Sequence, residues 1–352
     1  MTTTPDDLAG LVDVPALERF LDARLEGPPT PIRVWKHTAG YSNLTLFVDR
    51  GDQRLVLRRP PGGHLLPSAH DVLREYRFIS AVHGKARVPR PVASCDDPSV
   101  IGAPFFVMER VHGTEIRETI PAAYDNPAGR RRMAEEMVDA LVELHAVDWR
   151  SAGLTAPPGS YVERQLRRWL RQWELTRART RDLPGLDRVA AWLEAAMPEE
   201  TETTIAHGDY KIDNVLYAFD EPRLLAILDW ELATLGDPLA DVGWLQSTWG
   251  DRREVERERA AGGDPAIPPP VTTREGFPDP DELAEMYGER SGRSIHDMRY
   301  YRIFAMFRGA VIGEGIYMRY IEGNVTNPLA ARMEWQVPLR IERMLSLLDA
   351  PA

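Results

Sequence analysis

The hydrophobic period of this chain changes near residue 110, and that change limits the folds open to it. Before it, apolar residues come in short β-like runs, Ile32–Trp35, Leu44–Val48, Arg54–Leu57 and Phe105–Glu109. Tyr41-Ser-Asn and Arg50-Gly-Asp-Gln supply turns between them. Two helices are predicted in the same region, at 14–25 behind an Asp13 cap and at about 69–82, with Pro89 and Pro91 breaking the pattern afterwards. Beyond residue 110 the spacing is helical. Met137, Val138, Leu141, Val142 and Leu144 mark one helix over 129–146, and Val162, Leu166, Trp169, Leu170 and Trp173 mark another over 161–179. Further helices are predicted at about 281–290, 294–321 and 329–348, with Pro338 expected to kink the last. Short strands interrupt at Val215–Tyr217 and Leu224–Leu228, and the charged, then Pro- and Gly-rich stretch 250–280 reads as a long loop. The expectation is an α+β protein with a small antiparallel sheet in residues 1–109 and a mainly helical unit in 110–352.

A length of 352 residues is enough for two such units. With 43 basic against 54 acidic residues the formal charge is −11, which argues against a nucleic-acid partner, since phosphate backbones need a basic footprint. Cys95 is the only cysteine, so neither an intrachain disulfide nor a cysteine-based zinc site is available. The N-terminal MTTTPDDLAG has no basic and apolar signal-peptide pattern, and the longest apolar runs, such as Phe105–Met108, are far shorter than a membrane span. A cytoplasmic protein without a membrane partner is expected. Of the 43 basic residues only Lys36, Lys85 and Lys211 are lysine, the other forty being arginine. Any task usually given to lysine elsewhere in the chain therefore falls to arginine.

The chemistry concentrates in Ile205-Ala-His-Gly-Asp-Tyr-Lys-Ile-Asp-Asn-Val-Leu-Tyr217 and Ala226-Ile-Leu-Asp-Trp-Glu231. Asp209, Asn214 and Asp229 offer three oxygen-bearing side chains near strand ends. Hard cations such as Mg²⁺ take carboxylate and amide oxygens while keeping phosphate oxygens as further ligands. An Asp five residues before an Asn sits on one connected loop, and a second Asp at the end of a hairpin's partner strand can face the same cation. His207 reads as an organiser of this loop through hydrogen bonds, and His145 as structural. Asp241 is a candidate to hydrogen-bond the loop and Asp237 to cap a helix. No G-x-x-x-x-G-K-[ST], G-x-S-x-G, H-E-x-x-H or strand-linked G-x-G-x-x-G occurs, which removes the P-loop, esterase, zincin and Rossmann readings.

The pattern His207-Gly-Asp-x-x-x-x-Asn214, then Ile227-Leu-Asp-Trp-Glu231 and Gly236-Asp-Pro-Leu-Ala-Asp-Val-Gly243, resembles the catalytic and metal-binding loops of the aminoglycoside phosphotransferase family. It follows the protein-kinase order H-R-D-x-x-x-x-N then D-F-G with the middle residues changed. Leu57-Arg-Arg-Pro-Pro-Gly62, Leu66-Pro-Ser-Ala-His-Asp71 and Arg74-Glu-Tyr76 point in particular to the branch found fused to certain acyl-CoA dehydrogenases. The resemblance covers about residues 30–345. It implies a two-lobed, protein-kinase-like fold with ATP and Mg²⁺ in the cleft and a small hydroxylated molecule as acceptor. Asp209 would be the catalytic base, Asn214 and Asp229 the Mg²⁺ ligands, and Lys211 a contact to the transferred phosphoryl. Lys211 has the alternative reading of a solvent-facing loop charge.

For the N-terminal unit the resemblance places Gly40, Ser42 and Asn43 in the loop that covers the phosphates, although G-x-G-x-x-G is absent. Arg58 stands where protein kinases carry the strand lysine, with Glu75 as its helix partner; a surface pair of Glu75 with Arg74 or Arg77 is the alternative. Met108, the Glu109 carbonyl and the Val111 N–H correspond to the adenine-binding hinge. Asp229 runs directly into Trp-Glu-Leu-Ala-Thr-Leu-Gly-Asp-Pro without a long activation loop, which disfavours a protein kinase. The acceptor stays open between an aminoglycoside and a hydroxyacyl-CoA compound, the latter needing a basic patch for which 130–132 and 164–181 are candidates. A non-catalytic nucleotide-binding scaffold is the alternative from another class.

Overall fold

The computed structural model describes residues 11–37, 43–61, 71–253, 255–256, 270–325 and 327–350. Five strands form one antiparallel sheet: β1 (Ile32–Lys36), β2 (Leu44–Arg50), β3 (Gln53–Arg59), β4 (Pro91–Cys95) and β5 (Phe105–Glu109), in the order β1-β2-β3-β5-β4. Strand β4 falls where Pro89 and Pro91 predict a break. It lies at the sheet edge, where a proline at the first position leaves no ladder bond unmade.

The two faces of this sheet follow from side-chain alternation along β3. Leu55 and Leu57 pack with Leu46, Val48, Phe105 and Val107 against Leu17, Phe20 and Leu21 of α1 (Val14–Asp22). Val56 points the other way, with Phe106 and Met108, toward Val72, Phe78, Ile79 and Val82 of α2 (Val72–Val82). Arg58 shares the parity of Val56 and so faces α2, whereas Arg59 turns away and donates to the Ile101 carbonyl at 3.1 Å. Both helices are capped by aspartate: Asp13 accepts from the Ala16 N–H at 2.9 Å and Asp71 from the Arg74 N–H at 2.9 Å.

The second lobe is helical around one long central helix. Its elements are β6 (Thr114–Glu115), α3 (Pro127–His145), α4 (Tyr161–Arg177), α5 (Pro184–Ala195), β7 (Thr204–Ala206), β8 (Val215–Tyr217), β9 (Leu224–Ile227), β10 (Thr234–Gly236) and α6 (Leu239–Thr248). Then come α7 (Pro280–Ser291), α8 (Met298–Ile321), α9 (Pro328–Ala331) and α10 (Met333–Asp349), the last running through Pro338. Helix α8 buries Tyr301, Phe304, Phe307, Ala310 and Val311 in the core. It crosses α6 so closely that a Cβ on Gly243 would stand 2.5 Å from the Tyr301 carbonyl oxygen, so only glycine permits this crossing. Two small ladders complete this lobe: β7 pairs with β10, and β8 pairs with both β6 and β9. Among the described residues no helix is long and apolar enough to cross a membrane.

Candidate active site

The β8–β9 hairpin fixes the first two site residues. Val215 pairs with Ile227, so Asn214, just before β8, and Asp229, just after β9, emerge at the same end. The Leu228 N–H donates to the Asn214 carbonyl at 2.8 Å and ties the two loops together. Asp209 reaches this end from the segment that follows β7. Its Oδ2 accepts from Asn214 Nδ2 at 2.8 Å, and the same amide donates to the Asp209 carbonyl at 2.9 Å. Both amide protons of Asn214 are thereby spent, which leaves its Oδ1 as the group available to a cation. Lys211 Nζ lies 3.4 Å from Asp209 Oδ2, while Asp209 Oδ1 accepts from the Trp244 indole N–H at 2.8 Å.

A buried scaffold holds this loop. The Asp241 carboxylate, at the start of α6, accepts the backbone N–H of His207 at 2.6 Å and of Gly208 at 2.8 Å. It also meets His145 Nε2 at 3.3 Å, and His145 Nδ1 meets the Tyr287 hydroxyl at 2.7 Å. Burial would raise the Asp241 carboxyl, but these bonds hold it below the usual carboxylate range. Burial pulls His145 below the ordinary histidine value. His207 Nδ1 faces the Asp209 N–H at 3.3 Å and its Nε2 faces the Leu228 carbonyl at 2.8 Å, so the neutral ring protonated on Nε2 satisfies both. Asp237 accepts the Leu239 N–H at 2.8 Å in the first turn of α6.

From the sheet side, Arg58 Nη1 donates to Asp229 Oδ1 at 2.8 Å, and its Nε lies 3.5 Å from Glu75 Oε2. Glu75 is 1 % exposed, and burial pushes its carboxyl up to about 7 against the pull of Arg58. Burial works against the Arg58 charge too, yet Glu75 and Asp229 outweigh it and hold the guanidinium above its ordinary value. Asp229 is 44 % exposed at the side chain; partial desolvation would raise it, and Arg58 keeps it below the usual carboxylate range. Arg58 Nε and Glu75 Oε2 are both buried without a hydrogen-bond partner.

The alternative partners proposed for Glu75 are engaged elsewhere. Arg74 donates to the carbonyls of Glu231 and Ala233, and Arg77 approaches Asp71 at 3.9 Å. Asn43 Nδ2 reaches Glu231 Oε2 at 3.5 Å rather than standing clear at the loop tip. Gly40 and Ser42 lie outside the described residues. Met108 is buried under the sheet against α2, Glu109 is exposed with its N–H on the Arg90 carbonyl at 2.9 Å, and Val111 is half-buried in the connection from β5 to β6.

Among the described residues no group of three or more His, Cys, Asp or Glu converges as a metal cluster. The donor set here is one amide oxygen and one carboxylate edge. That suits Mg²⁺, which takes few protein oxygens and completes its shell with phosphate and water. Two residues escaped the sequence reading. Trp244 lies three positions after Asp241, and that helical spacing could have revealed it. Arg308, whose Nη1 donates to the Gly208 carbonyl at 2.7 Å, is one arginine among forty inside a long helix and carried no signal.

Residues 35–284 match the phosphotransferase enzyme family. Mouse acyl-CoA dehydrogenase family member 10 is 33 % identical over 328 residues, covering 90 % of this chain and 29 % of the relative. Human acyl-CoA dehydrogenase family member 11 is 31 % identical over 323 residues, covering 89 % of this chain and 40 % of the relative. The chain thus spans well under half the length of these relatives. A solved Ralstonia eutropha JMP134 structure, named among the aminoglycoside phosphotransferases, superposes with a TM-score of 0.79 at 32 % identity, covering 96 % of this chain and 98 % of that one. Choline kinase from Cryptosporidium parvum shares the fold alone, with a TM-score of 0.63 at 12 % identity over 96 % of this chain and 95 % of the other. The chain belongs to the phosphotransferase enzyme family and has the two-lobed, protein-kinase-like fold.

Proposed function

We propose that this protein transfers the terminal phosphoryl group of ATP, with Mg²⁺, to a hydroxyl of a small molecule. The observation that carries this reading is the Asp209–Asn214 bond at 2.8 Å in one loop, with Asp229 at the same end of the hairpin. Residues 1–109 serve as the nucleotide lobe and 110–352 as the catalytic and acceptor lobe.

Asp209 orients the acceptor hydroxyl and takes its proton; its two oxygens are held by Asn214 and Trp244, so the carboxylate is aimed before the acceptor arrives. Asn214 and Asp229 hold the metal. When bound, Mg²⁺ supplies neutralisation of the charge on the ATP phosphate oxygens. Lys211 lies beside Asp209 Oδ2 and adds a positive charge where the phosphoryl group passes. Arg58 replaces the strand lysine and reaches the α- and β-phosphates from its seat against Glu75. Met108, the Glu109 carbonyl and the Val111 N–H receive adenine, and the loop with Gly40, Ser42 and Asn43 covers the phosphates. The acceptor is a hydroxylated small molecule, and the relatives named as acyl-CoA dehydrogenases favour a hydroxyacyl compound over an aminoglycoside. A cytoplasmic location suits a reaction that consumes ATP.

Thermal unfolding with and without Mg²⁺–ATP tests the reading on wild type and Asp229→Ala. At about 100 times its Kd, ligand should stabilise the fold by about 2.7 kcal/mol. A magnesium-dependent shift that disappears in the variant is expected. No shift with ATP or GTP at any magnesium concentration would overturn the reading and leave a scaffold.

A further inference from the structure

The two oxygens of Asp209 face different surroundings. Oδ2 meets Asn214 and Lys211, the side on which metal and nucleotide are placed above. Oδ1 meets Trp244, and behind Trp244 lies Arg308 from the middle of α8. The Arg308 guanidinium carbon stands 4.1 Å from the Trp244 ring centroid and 5.6 Å from that of Trp169. Its Nη1 donates to the Gly208 carbonyl, one residue before Asp209, while its Nε is buried with no hydrogen-bond partner.

No carboxylate among the described residues pairs with Arg308. That sets it apart from its neighbours: Arg181 pairs with Glu314, Arg302 with Asp281, Arg167 with Glu163 and Arg179 with Glu322. These pairings also occupy much of the basic stretch 164–181, and Arg130, Arg131 and Arg132 pair with Asp125, Glu282 and Glu136. Arg308 and Arg168 lie beside the catalytic loop instead, and no ion pair joins either to a carboxylate among the described residues. Arg168 of α4 is exposed, sits 5.2 Å from the Trp169 ring, and repels both Arg308 and Arg74, while the Asp209 and Asp241 carboxylates attract Arg308 from farther than an ion pair. Stacking on indole holds a guanidinium in place but leaves its charge unneutralised, and an arginine does not shed its proton to escape burial. Desolvation works against this charge, the Asp209 and Asp241 carboxylates offset part of that cost without forming an ion pair, and an incoming anion would offset more.

We propose that Arg308, with Arg168 beside it, determines acceptor specificity by binding an anionic group, a carboxylate or phosphate, carried on the same molecule as the reacting hydroxyl. This inference rests on the phosphotransferase reading above. In the reaction the bond from the terminal phosphorus of ATP to its bridging oxygen breaks, and ADP leaves with the electron pair. A new P–O bond forms to the acceptor oxygen, and the hydroxyl proton passes to Asp209. Arg308 touches neither phosphorus nor the reacting oxygen; it places the acceptor so that its hydroxyl meets Asp209. Polycationic acceptors are repelled by the same pair of arginines.

The test is a binding titration of the full chain loaded with Mg²⁺ and a non-hydrolysable ATP analogue. The probes are 3-hydroxybutyrate, 1,3-butanediol, which keeps the hydroxyl and lacks the carboxylate, and kanamycin as a polycation. Wild type is expected to bind 3-hydroxybutyrate at least tenfold more tightly than the diol and to bind kanamycin least. Arg308→Gln should lose that preference and Arg308→Lys should recover part of it, with analogue affinity within twofold of wild type in both. Arg168→Gln, at an exposed position, should weaken 3-hydroxybutyrate about threefold without touching the core. Equal binding of hydroxy acid and diol, binding of neither, or preference for kanamycin overturns the inference. So does a fall in analogue affinity in Arg308→Gln, which would place the arginine on the nucleotide. Failure of wild type to bind the Mg²⁺–nucleotide is a different result and overturns the phosphotransferase reading itself.

Discussion

Arg58 and Asp229 meet at 2.8 Å although one ends a sheet strand and the other follows a hairpin in the opposite lobe. Among the described residues Asp229 is the only non-glycine with positive φ, at 64°, a conformation that aspartate tolerates better than most side chains. The pair joins the lobes at the place where nucleotide phosphates are proposed to bind. Glu75, Arg58 and Asp229 form a chain in which one guanidinium serves two carboxylates.

Removing the shared cation should therefore have two separable effects. Arg58→Ala is expected to abolish Mg²⁺–ATP-dependent thermal stabilisation. It should also destabilise the nucleotide-free fold by about 3 kcal/mol at pH 8, where Glu75 loses the cation that offsets its buried charge. At pH 6 the loss should be smaller, because Glu75 can take a proton. Arg58→Lys keeps the charge but is shorter and lacks the fork that spans both partners, so it should fall between. Urea unfolding at the two pH values, repeated with Mg²⁺–ATP, measures both effects.

Glu75 itself predicts a pH dependence. Its folded-state value is raised to about 7 from 4.5, so between these values the folded protein binds the extra proton. Stability from this group is greatest below about pH 4.5, falls as pH rises through 7, and is flat above. The full change is about 3 kcal/mol at 1.36 kcal/mol per pH unit. Glu75→Gln should remove it, so the difference in unfolding free energy between variant and wild type should grow in the variant's favour from pH 5 to pH 8. A difference independent of pH would show that Glu75 does not titrate in that window.

Gly208 precedes Asp209 with φ of 79°, and a Cβ there would stand 2.7 Å from the Leu232 carbonyl oxygen. Gly208→Ala must strain the backbone and push apart the two loops that carry Asp209 and Asp229. A loss of about 2 kcal/mol in stability is expected, with a larger proportional loss of turnover. Thermal unfolding beside Mg²⁺–ATP-dependent ADP release checks this; unchanged turnover would show that the loops can separate without cost.

Much of this arrangement is legible in the sequence because it rests on local rules. The alternation Leu55, Val56, Leu57, Arg58 decides which face Arg58 takes, and the hairpin between Val215 and Ile227 brings Asn214 and Asp229 together. Elements that depend on distant pairing are not legible. β7 and β10 are three residues each and exist only as partners of one another, and β6 is two residues long. Pro91 reads as a breaker until the sheet order puts it on an edge. Helix α5 has an apolar stripe at Leu186, Val189, Ala190 and Leu193 that passed unread between stronger helices. Trp244 could be read from its spacing to Asp241, whereas Arg308 comes to the loop of Asp209 through the crossing of α6 and α8, which no spacing within α8 announces.

Trp244 gives the sharpest test of how Asp209 is aimed. Trp244→Phe keeps an aromatic face under Arg308 but removes the donor to Asp209 Oδ1. The fold should lose about 1 kcal/mol, the value of one hydrogen bond. Mg²⁺–ATP stabilisation should be unchanged, because Asn214, Asp229 and Arg58 are untouched. Turnover should fall about tenfold, equivalent to about 1.4 kcal/mol in the barrier. A double-mutant cycle with Asp209→Asn isolates the cause. If Trp244 acts through the Asp209 carboxylate, Trp244→Phe adds little in the Asp209→Asn background. If the two losses multiply, the indole acts on the acceptor site through packing, and the bond to Asp209 is not what sets the rate.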